Sequence, residues 1–99
     1  MDLKEKQIEI IKHYGTDKQL DLLIEECAEL IQAICKRKRH NNSNWDFNMI
    51  EEIADVENII EQFKAVNPVA VELIDSIKDN KTNRQMHRIA KEGRTDVQS

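Results

Sequence analysis

Apolar residues recur along this chain with one period, that of the α-helix, and the pattern breaks most clearly once. Lys36 to Asn44 carries no apolar residue, whereas residues 20–37 and 46–65 are amphipathic on either side of it. Two helices joined at such a break pack as antiparallel neighbours. Each predicted helix carries acids at i and i+3: Glu26-Cys27-Ala28-Glu29 on the first, Glu52-Ile53-Ala54-Asp55 on the second. That spacing puts both acids of a pair on one helix face. The midpoint of Glu29 and Glu52 falls at about residue 40, as does that of Glu26 and Asp55. Helices rising about 1.5 Å per residue from a turn there bring both pairs to the same height. The break in the pattern thus predicts four carboxylates facing one another.

A helical wheel places these acids relative to the apolar arcs. On the first helix Leu20, Leu23, Ile24, Cys27, Leu30, Ile31 and Ile34 share one broad arc. Glu26 lies at its edge and Glu29 further round. On the second, Met49, Val56, Ile59, Ile60 and Phe63 share an arc, with Glu52 inside it and Asp55 at its edge. A carboxylate on an apolar stripe is costly unless it is paired or binds metal. Four like charges drawn together must take up protons or meet a cation. Hard oxygen donors suit Mg²⁺. The alternative is that the Glu-x-x-Glu spacing is incidental to an acidic helix.

The rest of the chain is also predicted to be helical. Two Gly, one Pro and four aromatic residues in 99 argue against sheet. A chain of this length makes one domain, predicted over residues 1–92, with 93–99 a disordered tail. A first helix is predicted over 2–13, with Leu3, Gln7, Ile10 and Ile11 near one face and Gly15 as its stop. Thr16-x-x-Gln19 and Ser43-x-x-Asp46 have the form of capping boxes, which starts the third helix near Trp45. Asn67-Pro68 reads as N-cap and first helical residue of the fourth helix. There, Ile74, Ile77, Lys81, Arg84 and Arg88 follow one another at helical spacing, so the stripe turns from apolar to basic if the helix runs through Asp79-Asn80. Three cations on one face invite either phosphate or neighbouring Glu side chains. Lys36 to His40 complements a helix C-terminus; a phosphate or nucleic-acid contact is its other reading. Trp45 is placed to stack on a nucleobase or to cover the bundle end.

Composition excludes several classes. The net charge of −4 argues against a general nucleic-acid binder. No apolar run reaches the length of a membrane span, and no secretory signal is visible. Cys27 and Cys35, eight residues apart on one helix, cannot bridge within it and read as buried or half-buried thiols of a cytoplasmic protein. His13, His40 and His87 share no ligand spacing and read as surface residues. No Glu has His three residues later, which removes the di-iron carboxylate bundle.

Around the acids the sequence is Glu25-Glu26-Cys27-Ala28-Glu29-Leu30, a 22-residue gap from Glu29 to Glu52, and Glu51-Glu52-Ile53-Ala54-Asp55-Val56. This resembles the MazG-like all-α nucleoside triphosphate pyrophosphohydrolases, a superfamily that includes the dimeric dUTPases, over about residues 19 to 90. The resemblance implies an antiparallel bundle of four to five helices, completed by oligomerisation as a homodimer or homotetramer. It implies Mg²⁺, with Mn²⁺ as a possible substitute, held by Glu26, Glu29, Glu52 and Asp55. It also implies hydrolysis of a nucleoside triphosphate to the monophosphate and pyrophosphate. On that reading Glu26 or Glu29 is the catalytic base, Lys81, Arg84 and Arg88 contact phosphates, and Trp45 or Phe47 and Asn58 contact base or sugar. The competing expectation is a non-catalytic helical interaction or oligomerisation module.

Overall fold

The computed structural model describes residues 1–40 and 46–93. Among them are four helices and no strand: α1 (Leu3–Tyr14), α2 (Thr16–Arg39), α3 (Phe47–Ala65) and α4 (Pro68–Lys91). The predicted all-α fold is therefore observed. The turn residues Asn41 to Asn44, the proposed Ser43 cap, Trp45 and residues 94–99 lie outside the described residues. The chain divides into two compact units, Met1–Val66 and Asn67–Ser99.

In the first unit, α1 opens with a capping box that the sequence reading passed over. Asp2 accepts from the Glu5 backbone N–H at 2.8 Å, and the Glu5 carboxylate accepts from the Asp2 N–H at 3.1 Å. Gly15 ends α1, as expected, at φ 90°, ψ 157°. The same glycine is the residue before α2, which has no side-chain cap. The expected Thr16-x-x-Gln19 box is thus absent. One residue separates the helices, so Thr16 is already helical, and the Gln19 side chain is bonded elsewhere. On α3 it is Asp46 that caps, accepting from the Asn48 N–H at 2.9 Å, and the helix begins at Phe47 rather than near Trp45.

α2 and α3 lie antiparallel, and three cross-helix pairs share one register. Gln19 donates to Gln62 at 2.7 Å, Glu26 bonds Asp55 and Glu52 bonds Glu29. Each pair is centred between residues 40 and 41, which is the register the acid spacing predicts. α1 is tied to α3 through Gln7, whose Nε2 donates to Asn58 Oδ1.

Among the described residues the core is small: Ile11, Ala33 and Ile59 are its buried apolar residues, and Gln7, Gln19 and Gln62 are buried too. The broad apolar arc expected on α2 divides. Leu23, Cys27 and Leu30 are half-buried, whereas Leu20, Ile24, Ile31 and Ile34 are exposed, Ile24 to 69%. A helix packed against one neighbour along a narrow seam covers only part of a wide stripe. Cys27 is half-buried as expected, but Cys35 is exposed, contrary to the reading of both thiols as at least half-buried. It lies on the solvent side of the last turns of α2. The three histidines are exposed, as expected.

In the second unit, Asn67 caps α4, accepting from the Ala70 N–H at 3.1 Å, with Pro68 first in the helix. α4 runs unbroken through Asp79 and Asn80, and Thr82 donates its hydroxyl to the Lys78 carbonyl at 2.7 Å. None of its residues is buried. No helix among the described residues is long and apolar enough to cross a membrane.

Candidate metal centre

The acids sit where α2 and α3 face each other. Glu26 and Glu52 are half-buried; Glu29 and Asp55 are exposed. One carboxylate oxygen each from Glu26, Glu52 and Asp55 lie within 4.8 Å of one another. Glu29 is not one of that close trio, but its charge acts on both half-buried acids and it shares a hydrogen bond with Glu52.

The half-buried acids are held above the ordinary carboxylate range. For Glu26 the cause is first partial burial, then the charges of Glu29, Asp55 and Glu52, and last a hydrogen bond to Asp55. For Glu52 it is again burial first, then the charges of Glu29 and Asp55, the hydrogen bond with Glu29, and the charge of Glu51. A carboxyl that shares a proton with a second carboxylate resolves like-charge repulsion in the absence of a cation.

Two oxygens test whether these residues suit a metal. Glu26 Oε2 and Glu52 Oε2 are both shielded from solvent and have no hydrogen-bond partner. An acceptor in that state is costly unless a donor or a cation reaches it. Mg²⁺ holds oxygens at about 2.1 Å, so opposite ligands stand about 4.2 Å apart. The three oxygens, within 4.8 Å of one another, are near that span. The donor set is all carboxylate, which is the chemistry of Mg²⁺ and Mn²⁺ rather than of softer metals. The residues present therefore fit a hard divalent cation.

Beside the trio lies an open groove of about 570 Å³ between α1, α2 and α3. Glu26 and Asp55 form part of its wall, with Glu25 and Asp21 next to them. Ile10, Leu22 and Ile59 give it an apolar side; Gln19, Asn58 and Gln62 give it a carboxamide side. Tyr14 lines it as well, with Lys18 Nζ 5.3 Å from the ring centroid and the His13 ring edge-on at 4.7 Å. On the other side of the acids, toward the end of α2 and the start of α3, Glu29, Gln32, Ala33, Lys36, Asn48 and Glu52 line a smaller hollow of about 320 Å³.

Of the residues singled out in the sequence, the structure brings Glu26, Glu29, Glu52 and Asp55 together on α2 and α3. Asn58 stands one turn beyond Asp55, at the groove. Phe47, at the start of α3, is 72% exposed and lines neither hollow. Lys81, Arg84 and Arg88 share an exposed face of α4 in the second unit. The sequence reading missed Gln19 and Gln62 as groove residues. A signal was present for Gln7, which falls among the apolar residues of α1. Gln62 likewise lies one turn from Ile59 on the buried side of α3. Gln19 was misread as half of a cap.

No protein-family model, curated protein or solved structure matches this chain.

Proposed function

We propose that the protein is a Mg²⁺-dependent hydrolase that converts a nucleoside or deoxynucleoside triphosphate to the monophosphate and pyrophosphate. The reading draws on the resemblance of the acidic quartets to the MazG-like family. The observation that carries it is the facing of those quartets across α2 and α3, with an unpartnered, solvent-shielded oxygen on each of Glu26 and Glu52. Glu26, Glu29, Glu52 and Asp55 hold the cation. When bound, the cation offsets triphosphate charge and lowers the pKa of water.

The chain's own residues do the rest. Glu26 or Glu29 accepts the proton of a water that attacks the α-phosphorus, and the bond to the β-phosphate oxygen breaks to release pyrophosphate. Arg84, Arg88 and Lys81 supply paired and single donors for phosphate oxygens. A second copy of the chain, in a homodimer or homotetramer, covers the exposed apolar residues of α2. We place the reaction in the cytoplasm.

The test is a panel of nucleoside triphosphates incubated with Mg²⁺, with Mn²⁺ or with EDTA, scored for pyrophosphate against phosphate. Pyrophosphate released only with the metal, and lost in Glu52→Gln, is the expected result. Phosphate release instead overturns the cleavage position, and no turnover overturns the reaction.

One observation favours a second reading. Leu20, Ile24, Ile31 and Ile34 form an exposed apolar stripe along α2, the feature of a helix that meets a partner. On that reading the chain is an interaction module, and the acids would leave its melting indifferent to divalent metal.

A further inference from the structure

The carboxylate pairs meet only if α2 and α3 hold one register. The acids do not supply it once ionised, because like charges repel and favour separation. Apolar packing does not supply it either. Burial of apolar area is non-directional, so a slipped seam can bury as much. A directional contact is needed, and the structure provides it inside the seam. Gln19 Nε2 donates to Gln62 Oε1 at 2.7 Å, and both residues are 3% exposed.

The pair is placed to act on the acids. Gln19 stands seven residues before Glu26 on α2, and Gln62 seven after Asp55 on α3. The same step in the other direction reaches Ala33, which is buried, and Asn48; these two line the smaller hollow together. The seam thus repeats every seven residues, with Gln19, Glu26 and Ala33 against Gln62, Asp55 and Asn48. In such seams one polar layer fixes register at a cost in stability. A slip of one turn moves α2 about 5.4 Å along α3. It sets Gln19 level with Ile59 and strands two buried carboxamides without partners. The same slip exceeds the 4.8 Å that spans the Glu26, Glu52 and Asp55 oxygens, so the trio opens. The other amide tie, Gln7 to Asn58, joins α1 to α3 and does not place α2.

We infer that Gln19 and Gln62 are positioning residues for the cation site: their amide bond keys α2 to α3 in the register that gathers Glu26, Glu29, Glu52 and Asp55. The metal consequence rests on the reading of those acids as a cation site; the keying itself does not.

The experiment replaces the amide pair by an apolar one, Gln19→Leu with Gln62→Leu, in the full chain. Three properties are read: stability in urea without metal, Mn²⁺ affinity from the EPR signal of the free ion, and the α2–α3 register from nuclear Overhauser contacts between their side chains. The variant is expected to be at least as stable as wild type, as apolar replacements of buried polar pairs often are. It is expected to bind Mn²⁺ about tenfold more weakly, as when a group behind metal ligands is lost, and to show contacts displaced by a turn or mixed. Gln7→Leu removes a buried amide outside this seam and is expected to leave Mn²⁺ affinity and register unchanged. Should the double variant not fold, Gln19→Asn, one methylene too short for the bond, takes its place with the same expectation for metal and register. Wild-type register in the variant overturns the inference, as does an equal loss of affinity in Gln7→Leu. Displaced contacts in a protein whose wild type binds no Mn²⁺ would remove the cation site and keep the keying. Wild-type Mn²⁺ binding with an unmoved register would do the reverse.

Discussion

Divalent metal should stabilise this protein, and the acid cluster sets the terms. Three carboxylate oxygens lie within 4.8 Å of one another, and one oxygen each of Glu26 and Glu52 lacks a hydrogen-bond partner. A ligand that binds only the folded state stabilises it by RT ln(1 + [L]/Kd), about 1.4 kcal/mol at ten times Kd and about 2.7 at a hundred times. For a domain of this size each kcal/mol moves the melting temperature by roughly 4–8 °C. Mg²⁺ titrated from micromolar to 10 mM should therefore raise the melting temperature of the wild type by about 6–11 °C once it exceeds Kd tenfold. Mn²⁺ should act similarly. Glu52→Gln removes one ligand and one of the mutually repelling charges. It should leave the metal-free protein at least as stable as wild type and lose most of the metal-induced rise. Differential scanning fluorimetry with EDTA as the zero point measures both. No rise in the wild type at 10 mM metal, or an equal rise in Glu52→Gln, would refute the reasoning.

Three further outcomes are expected. The folded protein holds Glu26 and Glu52 above the ordinary carboxylate value of 4.5. The folded state therefore binds more protons than the unfolded one, and metal-free stability should fall as pH rises from about 4.5 through the raised values; urea melts from pH 4.5 to 8 should show that slope, flattened by Mg²⁺. Gly15→Ala places a side chain at φ 90°, where no neighbouring atom lies within 4 Å but the backbone itself is strained. It should cost about 1–3 kcal/mol in chemical denaturation and leave metal binding intact. Arg84→Ala with Arg88→Ala should raise KM for a triphosphate several-fold while shifting stability by no more than about 0.5 kcal/mol, since both are exposed; steady-state kinetics and melting separate the two.

The helices were legible because their signals are local. Asn67-Pro68 and Gly15 mark boundaries by backbone chemistry, and Glu52 shows on the wheel as an acid among apolar neighbours. The register of α2 on α3 was legible because two acid pairs are equidistant from one break. The caps were less so. A capping box is a four-residue pattern, and Thr16-x-x-Gln19 satisfies it although Gln19 is drawn inward to Gln62. That partner lies 43 residues away, beyond any local rule. The groove was hidden for the same reason: its wall is assembled from three helices. The split of the α2 arc into covered and exposed halves depends on which neighbours pack there, and periodicity alone does not say.

The shared register has a geometric consequence. An antiparallel helix pair has a two-fold axis perpendicular to the plane of its helices. Rotation about that axis at the height of the acids carries Glu26 onto Glu52 and Glu29 onto Asp55, each 26 residues on. The burial follows the rotation: the first two are half-buried, the last two exposed. The four carboxylates alone therefore cannot tell one end of the hairpin from the other, and a linear ligand lying across them has two equivalent directions. What breaks the equivalence is α1, bonded to α3 through Gln7 and Asn58, which turns one end into the 570 Å³ groove and leaves the other a hollow of 320 Å³. A helix that contributes no acid to the cluster thus sets the polarity of the site.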